Sequence, residues 1–140
     1  MTKGLCLIDA NVPMYAVGAD HPLKQPCLAI LRDIAEGEIQ AVADSDVLQE
    51  ILHRYTAIQQ RHWGIEVVRE FARVVPNVLS VNKADLLLAL DLHAQFEALP
   101  ARDSVHGAVM LNNGIEMIIT ADCHFDALPG LRRLDPANWR

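Results

Sequence analysis

The sequence predicts a single α/β domain in which a parallel sheet of four or five short strands is covered by helices on both faces. Three observations carry this expectation. Short apolar runs bounded by turn residues alternate with stretches of helical period, the pattern of strands joined by crossover helices. Apolar residues make up 51% of the chain and charged residues 21%, enough for a sizeable core and unlike a disordered chain. The 140 residues hold no internal repeat, low-complexity tract or Gly/Ser linker, so one domain is expected over residues 1–140.

The elements follow in order. Residues 4–9 form an apolar run closed by Asp9, with the turn formers Asn11 and Pro13 behind it, and read as a buried first strand. Pro22 suits a helix start, and residues 23–35 carry a helical pattern that stops at Gly37. Pro26 is tolerable there because first-turn N–H groups have no intrahelical acceptor. Residues 41–43 are a short second strand. Asp44 or Ser45 then caps a helix whose apolar residues are Val47, Leu48, Ile51, Leu52, Tyr55 and Ile58. A further helix over residues 65–74 is closed by Pro76, and residues 78–81 make a third strand. Asn82 caps a Leu-rich helix to about Leu99, which Pro100 ends. Residues 103–113 form a helix that is apolar nearly all round and therefore sandwiched, with Gly114 as its C-cap. Residues 117–120 are the fourth strand, and Leu134 starts a short fifth.

Composition excludes several classes. No apolar run approaches the roughly 20 residues that span a bilayer, and Met1 to Ile8 is too short for a signal-peptide core. Cys6, Cys27 and Cys123 lack CxxC spacing and leave one thiol over in any pairing, which points to a reducing cytoplasm. Cys123 and His124 have no second Cys/His pair nearby, so a zinc site is not expected. A net charge of −6 repels phosphate at long range, so general nucleic-acid coating is excluded. It does not exclude a local basic strip, or a metal that reverses the sign of an acidic pocket.

Ligands of open α/β sheets sit outside the carboxyl ends of the strands. Asp9 ends strand one, Asp122 lies just past strand four, Asp103 opens the helix before it, and Glu50 lies two turns into the helix leaving strand two. Each has an ordinary explanation. Glu50 pairs with Arg54 at i+4, Asp103 is an N-cap, and Asp122 shapes a turn. Asp9 is harder to dismiss, because an acid ending an apolar strand is costly unless something binds it. Two carboxylates about 4 Å apart repel by roughly 4 kcal/mol at an effective dielectric of 20. A converging set must therefore protonate in part or bind a divalent cation. Hard oxygen ligands favour Mg²⁺ or Mn²⁺ over Zn²⁺, and such ions hold phosphate oxygens and activate water. Metal-assisted phosphodiester hydrolysis is the leading chemistry.

The segments Leu7-Ile8-Asp9-Ala10-Asn11-Val12, Glu50 after Val47-Leu48-Gln49, Arg102-Asp103-Ser104-Val105-His106-Gly107-Ala108 and Ile119-Thr120-Ala121-Asp122-Cys123-His124-Phe125 resemble, in that order, the PIN domain. The likeness runs over essentially the whole chain and is nearest to VapC-type toxin ribonucleases. It implies a Rossmann-like fold, endoribonuclease activity dependent on Mg²⁺ or Mn²⁺, frequent homodimers and inhibition by a small antitoxin. By position Asp9, Glu50, Asp103 and Asp122 match the family's acidic quartet, and Asn11 and Thr120 match polar residues that steady it. One position departs: His124 stands where a second Asp is common, which puts a fifth carboxylate in doubt and leaves Asp126 a weak substitute.

Residues 51–65 hold no acid and carry Arg54, Arg61, His53, His62, Tyr55 and Trp63. The strip either grips RNA or is a solvated helix end with Tyr55 in the core. His124 either touches metal or phosphate or is merely solvated. Arg132, Arg133 and Arg140 either guide a nucleic-acid backbone or form a frayed basic tail. His106, one turn after Asp103, reads as a buried packing residue. Among functions, the toxin ribonuclease stands first, beside a housekeeping RNA-processing nuclease or a non-catalytic RNA-binding domain of the same fold. A haloacid-dehalogenase-like phosphatase would need an Asp where the chain has Asn11.

Overall fold

The computed structural model describes residues 4–139. Five parallel strands, β1 (Leu5–Ile8), β2 (Gln40–Asp44), β3 (Val78–Leu79), β4 (Met117–Ile119) and β5 (Arg132–Leu134), pair in the order β3-β2-β1-β4-β5. Central β1 sets the core: Leu7 lies opposite Val42 on one side and Ile118 on the other, all three buried. Six helices join the strands among the described residues: α1 (Asn11–Ala16), α2 (Lys24–Ala35), α3 (Ser45–Ala57), α4 (Arg61–Val74), α5 (Lys83–Gln95) and α6 (Ala101–Asn112). Short 3-10 turns follow at Cys123–Ala127 and Pro136–Asn138.

Helices α1, α2 and α4 pack on one another and α3 packs on α4, while α5 packs on α6. The chain steps one way from β1 to β3 and then returns past β1 to β4. Right-handed crossovers consequently place α1–α4 on one face and α5–α6 on the other. The reversal lies between β1 and β4, the switch point where open α/β sheets bind ligands.

Several elements differ from the sequence expectation. Asn11 and Pro13 are not a turn but the start of α1; Pro13 sits in the first helical turn, where its missing N–H loses nothing. Helix α4 starts at Arg61 rather than residue 65. Helix α5 stops at Gln95, because the chain turns to bury Leu99, whose carbonyl lies 2.9 Å from His93 Nδ1. Pro100 is not a terminator alone but the N-cap position of α6, so Asp103 lies inside the first turn and caps nothing. Asp44, not Ser45, caps α3: its Oδ1 accepts from the Val47 N–H at 2.8 Å.

Asn82 caps α5 in a reciprocal box with Asp85, and Asp85 Oδ1 also accepts from Asn112 Nδ2 at 2.8 Å, tying the start of α5 to the end of α6. Arg133 is not free to guide a nucleic-acid backbone. It forks onto Asp126 at 2.9 and 3.1 Å, reaches Asp135 at 3.3 Å, and donates to the Thr120 carbonyl. Arg140 lies outside the described residues.

Helices α3 and α4 cross closely at Gly64, where a Cβ would stand 2.7 Å from Tyr55 Cβ. Gly64→Ala should therefore force the pair apart and destabilise the protein by about 1–3 kcal/mol, read as a lower urea midpoint. An unchanged midpoint would show that the two helices separate freely.

Candidate active site

Asp9 leaves β1 nearly fully buried, with its backbone N–H on the Ile119 carbonyl of β4 at 3.1 Å. Its Oδ1 accepts from the Ala10 N–H at 2.7 Å, and its Oδ2 accepts from Thr120 Oγ1 at 2.8 Å. Asn11 Nδ2 donates to the same hydroxyl at 2.9 Å while its Oδ1 takes the Ala121 N–H at 3.2 Å. The Asp122 N–H also donates to Thr120 Oγ1, at 3.0 Å. Asn11 and Thr120 thus lock the end of β1 to the end of β4 and aim Asp9 and Asp122 along one edge.

Opposite Asp9 lies His106 of α6, fully buried. Its Nδ1 is 2.7 Å from Asp44 Oδ2, the oxygen that the cap of α3 leaves free. This bond turns Nε2 toward Glu50 Oε1 at 3.7 Å and Asp9 Oδ1 at 3.9 Å, where it has no hydrogen-bond partner. Full burial works against a charged ring. The Asp44 hydrogen bond, the Glu50 carboxylate and the charges of Asp44 and Asp9 outweigh it, and the pKa of His106 is raised well above the ordinary value. Burial likewise pushes the Asp9 carboxyl up, with the Glu50 charge adding to it; His106 and the Thr120 hydroxyl pull the other way. By sequence His106 reads as a buried packing residue. Buried it is, but it also faces two carboxylates, and the available signal was an acid closing β2 just as Asp9 closes β1.

A second group adjoins the first. Ligand atoms of Asp103, Asp122 and His124 lie within 4.8 Å of one another, as do those of Asp9, Glu50 and His106. Burial, the hydrogen bond and charge of Asp122, and the charge of Asp9 push Asp103 up to about 8. Asp122 goes the other way. Partial burial opposes its charge, but the bonds from Asp103, the His124 N–H and the His124 ring hold it below the usual carboxylate range. Asp103 Oδ2 is buried without a hydrogen-bond partner. His124 is about half exposed, with Nδ1 2.6 Å from Asp122 Oδ1 and 3.7 Å from Asp103 Oδ2.

The four acids expected from the sequence therefore meet at one edge. Glu50 also keeps its i+4 partner, with Arg54 Nη1 at 3.6 Å. Arg102 Nη1 reaches Asp46 at 3.4 Å and its Nε reaches Glu50 at 3.9 Å. Of the basic strip, Arg54 lines a cavity beside Asp122, Tyr55 is core, and Arg61 is exposed and forms no ion pair among the described residues. Asp126 is held by Arg133 instead of joining the acids. The donor set fits a hard divalent cation: carboxylate oxygens dominate, one buried carboxylate oxygen lacks a partner, and the neighbours' charges already favour a proton on it.

That electrostatic state fixes a pH dependence. Folded Asp103 holds its proton up to about 8, whereas the unfolded chain releases it near 3.8, so folding binds a proton in between and stability falls as pH rises. His106 acts in the same direction: its contribution is full below the ordinary histidine pKa and is lost as pH climbs through the raised one. In EDTA the Tm should drop between about pH 5 and about pH 8, and Asp103→Asn should flatten the slope. A Tm that rises across that window would show that the acids do not share one field.

No family model matches the chain. The fold is similar to that of VapBC2 from Rickettsia felis bound to a DNA fragment from its promoter, with a TM-score of 0.74, 13% identity, and 97% and 99% of the two chains covered. It is similar also to a toxin-antitoxin complex from Klebsiella pneumoniae, with a TM-score of 0.67, 16% identity, and 94% and 97% covered. In sequence the chain is 38% identical over 130 residues to ribonuclease VapC13 of Mycobacterium tuberculosis, covering 93% of this chain and 99% of that protein. With that identity across almost the whole of both chains, and the order of acids that the sequence displays, the protein belongs to the VapC ribonuclease family.

Proposed function

We propose that this protein is the toxin of a toxin–antitoxin pair, a metal-dependent endoribonuclease that hydrolyses RNA phosphodiester bonds at the acidic edge. The reading assigns the whole of residues 1–140 to one PIN domain. The observation that supports it is two adjoining acidic groups at the β1/β4 switch point, Asp9 with Glu50 and Asp103 with Asp122, with Asp103 Oδ2 buried and unpartnered and feeling the Asp9 charge. Asp9, Asp103, Asp122 and Glu50 would hold the ion, and carboxylate oxygens select Mg²⁺ or Mn²⁺. When bound, such an ion supplies positive charge for phosphate oxygens and makes water more acidic. The chain's own groups do the rest. Thr120 and Asn11 hold Asp9 in a single orientation, and the Asp44–His106 pair fixes Nε2 between Asp9 and Glu50. His124 presents a half-exposed ring at the rim, able to meet the substrate phosphate.

The solved complexes that the fold resembles support a small antitoxin protein as partner. A homodimer is supported by α5, which leaves Leu86, Leu87 and Leu90 48%, 52% and 64% exposed. No helix among the described residues is long and apolar enough to cross a membrane, and Cys6, Cys27 and Cys123 are free, in keeping with a reducing cytoplasm.

The test is a cleavage assay on total RNA. Mg²⁺ or Mn²⁺ should support cutting, EDTA should stop it, and Asp9→Asn should lower the rate on the order of a hundredfold or more. Full activity in EDTA, or rescue by Zn²⁺ alone, would defeat the metal assignment. Co-expression with the product of an adjacent small gene should restore growth and silence cleavage. Equal growth of cells expressing wild type and Asp9→Asn with no partner present would point to a housekeeping nuclease instead.

A further inference from the structure

Beside the acidic edge lies a cavity of about 490 Å³ whose lining includes Asn11, Met14, Tyr15, His21, Arg54 and Asp122. Asn11 and Asp122 belong to the edge itself, so the cavity opens directly onto the acids. Its far wall is aromatic: the rings of Tyr15 and His21 lie 4.5 Å apart between centroids at 30° to one another. The wall is built to stay in place. The Leu23 N–H donates to His21 Nδ1 at 3.0 Å, which leaves the ring proton on Nε2 and fixes the ring on its loop. Lys24 Nζ donates to the Gly18 carbonyl at 2.7 Å, clamping the loop to the start of α2. Gly18 lets that loop fold back on α1, since a Cβ there would stand 2.8 Å from the Met14 carbonyl oxygen. Arg54 places a guanidinium, about half exposed, on the side toward Glu50.

We propose that this cavity is a subsite for one nucleobase of single-stranded RNA, adjoining the phosphate that is cut. The base stacks on the Tyr15–His21 pair, and Arg54 faces the neighbouring phosphate. This rests on the nuclease reading above and adds to it the residues that contact one base. The chemistry asks for such a site. Arg102 and Arg133 at the rim are already paired with acids, so stacking adds to what the little free positive charge there supplies. Stacking on an aromatic platform changes affinity by roughly 5- to 150-fold per base. The volume lies within the roughly 300–1,000 Å³ of small-molecule pockets, enough for a base splayed out of its strand. A paired base cannot reach the wall, so duplex RNA is excluded.

The experiment first maps a cleavage site of the wild type, then uses a short single-stranded RNA spanning it, intact or with each base near the cut replaced in turn by an abasic residue. For the intact strand, His21→Ala and Tyr15→Leu should raise KM about tenfold while kcat changes little. One abasic position should raise the wild-type KM by the same factor, and on that strand the variants should match wild type. Thermal melts confirm that each variant is folded, and exposed His21 carries the test should Tyr15→Leu fail to fold. Wild-type KM in folded His21→Ala on every strand overturns the subsite with the nuclease intact. Equal cutting of the duplex form overturns the single-strand requirement. A wild type inert in both Mg²⁺ and Mn²⁺ overturns the nuclease reading, and the subsite with it.

Discussion

The 2.7 Å hydrogen bond from His106 Nδ1 to Asp44 Oδ2 joins α6 to the end of β2 past the end of β1, and the acidic edge is arranged around it. Asp44 uses one oxygen for the first turn of α3 and the other for the imidazole. The far side of that ring is then the only buried cationic group facing Asp9 and Glu50 among the described residues. Removing one partner of such a pair leaves a buried charge unmatched, a loss of about 3–5 kcal/mol in comparable settings. The same bond orients α3, and with it Glu50, relative to α6, and with it Asp103. Two helices from opposite faces of the sheet therefore meet at one edge in a set register.

The surrounding cations are committed elsewhere. Arg102 is shared among Asp46, Gln49 and Glu50, and Arg133 is shared between Asp126 and Asp135. Partly exposed pairs of this kind add little stability, about 0–1 kcal/mol each. Their effect is on the local field: little unpaired positive charge is left at the rim to meet a phosphate. On the proposed reading, an anion there would be met by a divalent cation, the Arg54 guanidinium and uncharged contacts, in keeping with an edge that holds a proton on Asp103.

Most of the architecture was legible because apolar runs and helical periods are local signals. Asp9 stood out by closing a fully apolar strand, and the other acids by falling next to strand ends. What was hidden was non-local or overruled by a stronger local sign. Pro13 masked α1, because a proline after Asn reads as a turn unless the helix is known to begin at Asn11. With α1 unseen, nothing brought Tyr15 toward His21, and the cavity had no wall. His106 and Asp44 lie 62 residues apart, and a histidine among Val105, Ala108 and Val109 looks like packing. Arg54 and Arg61 looked equivalent along the chain; only the end of α3 at Ala57 separates one that lines the cavity from one that does not.

The position of β1 between β2 and β4 has a consequence for the order in which the molecule is made. Asp9 is synthesised well before its partner: its Oδ2 waits for the Thr120 hydroxyl, 111 residues later. Contacts of that span close slowly and late, because much of the chain must be ordered first. A nascent chain that has not yet released β4 from the ribosome has Asp9 and Glu50 but neither Asp122 nor the Asn11–Thr120 lock. The edge comes into being only once β4 is made, so a chain that has not reached it has no assembled acidic edge.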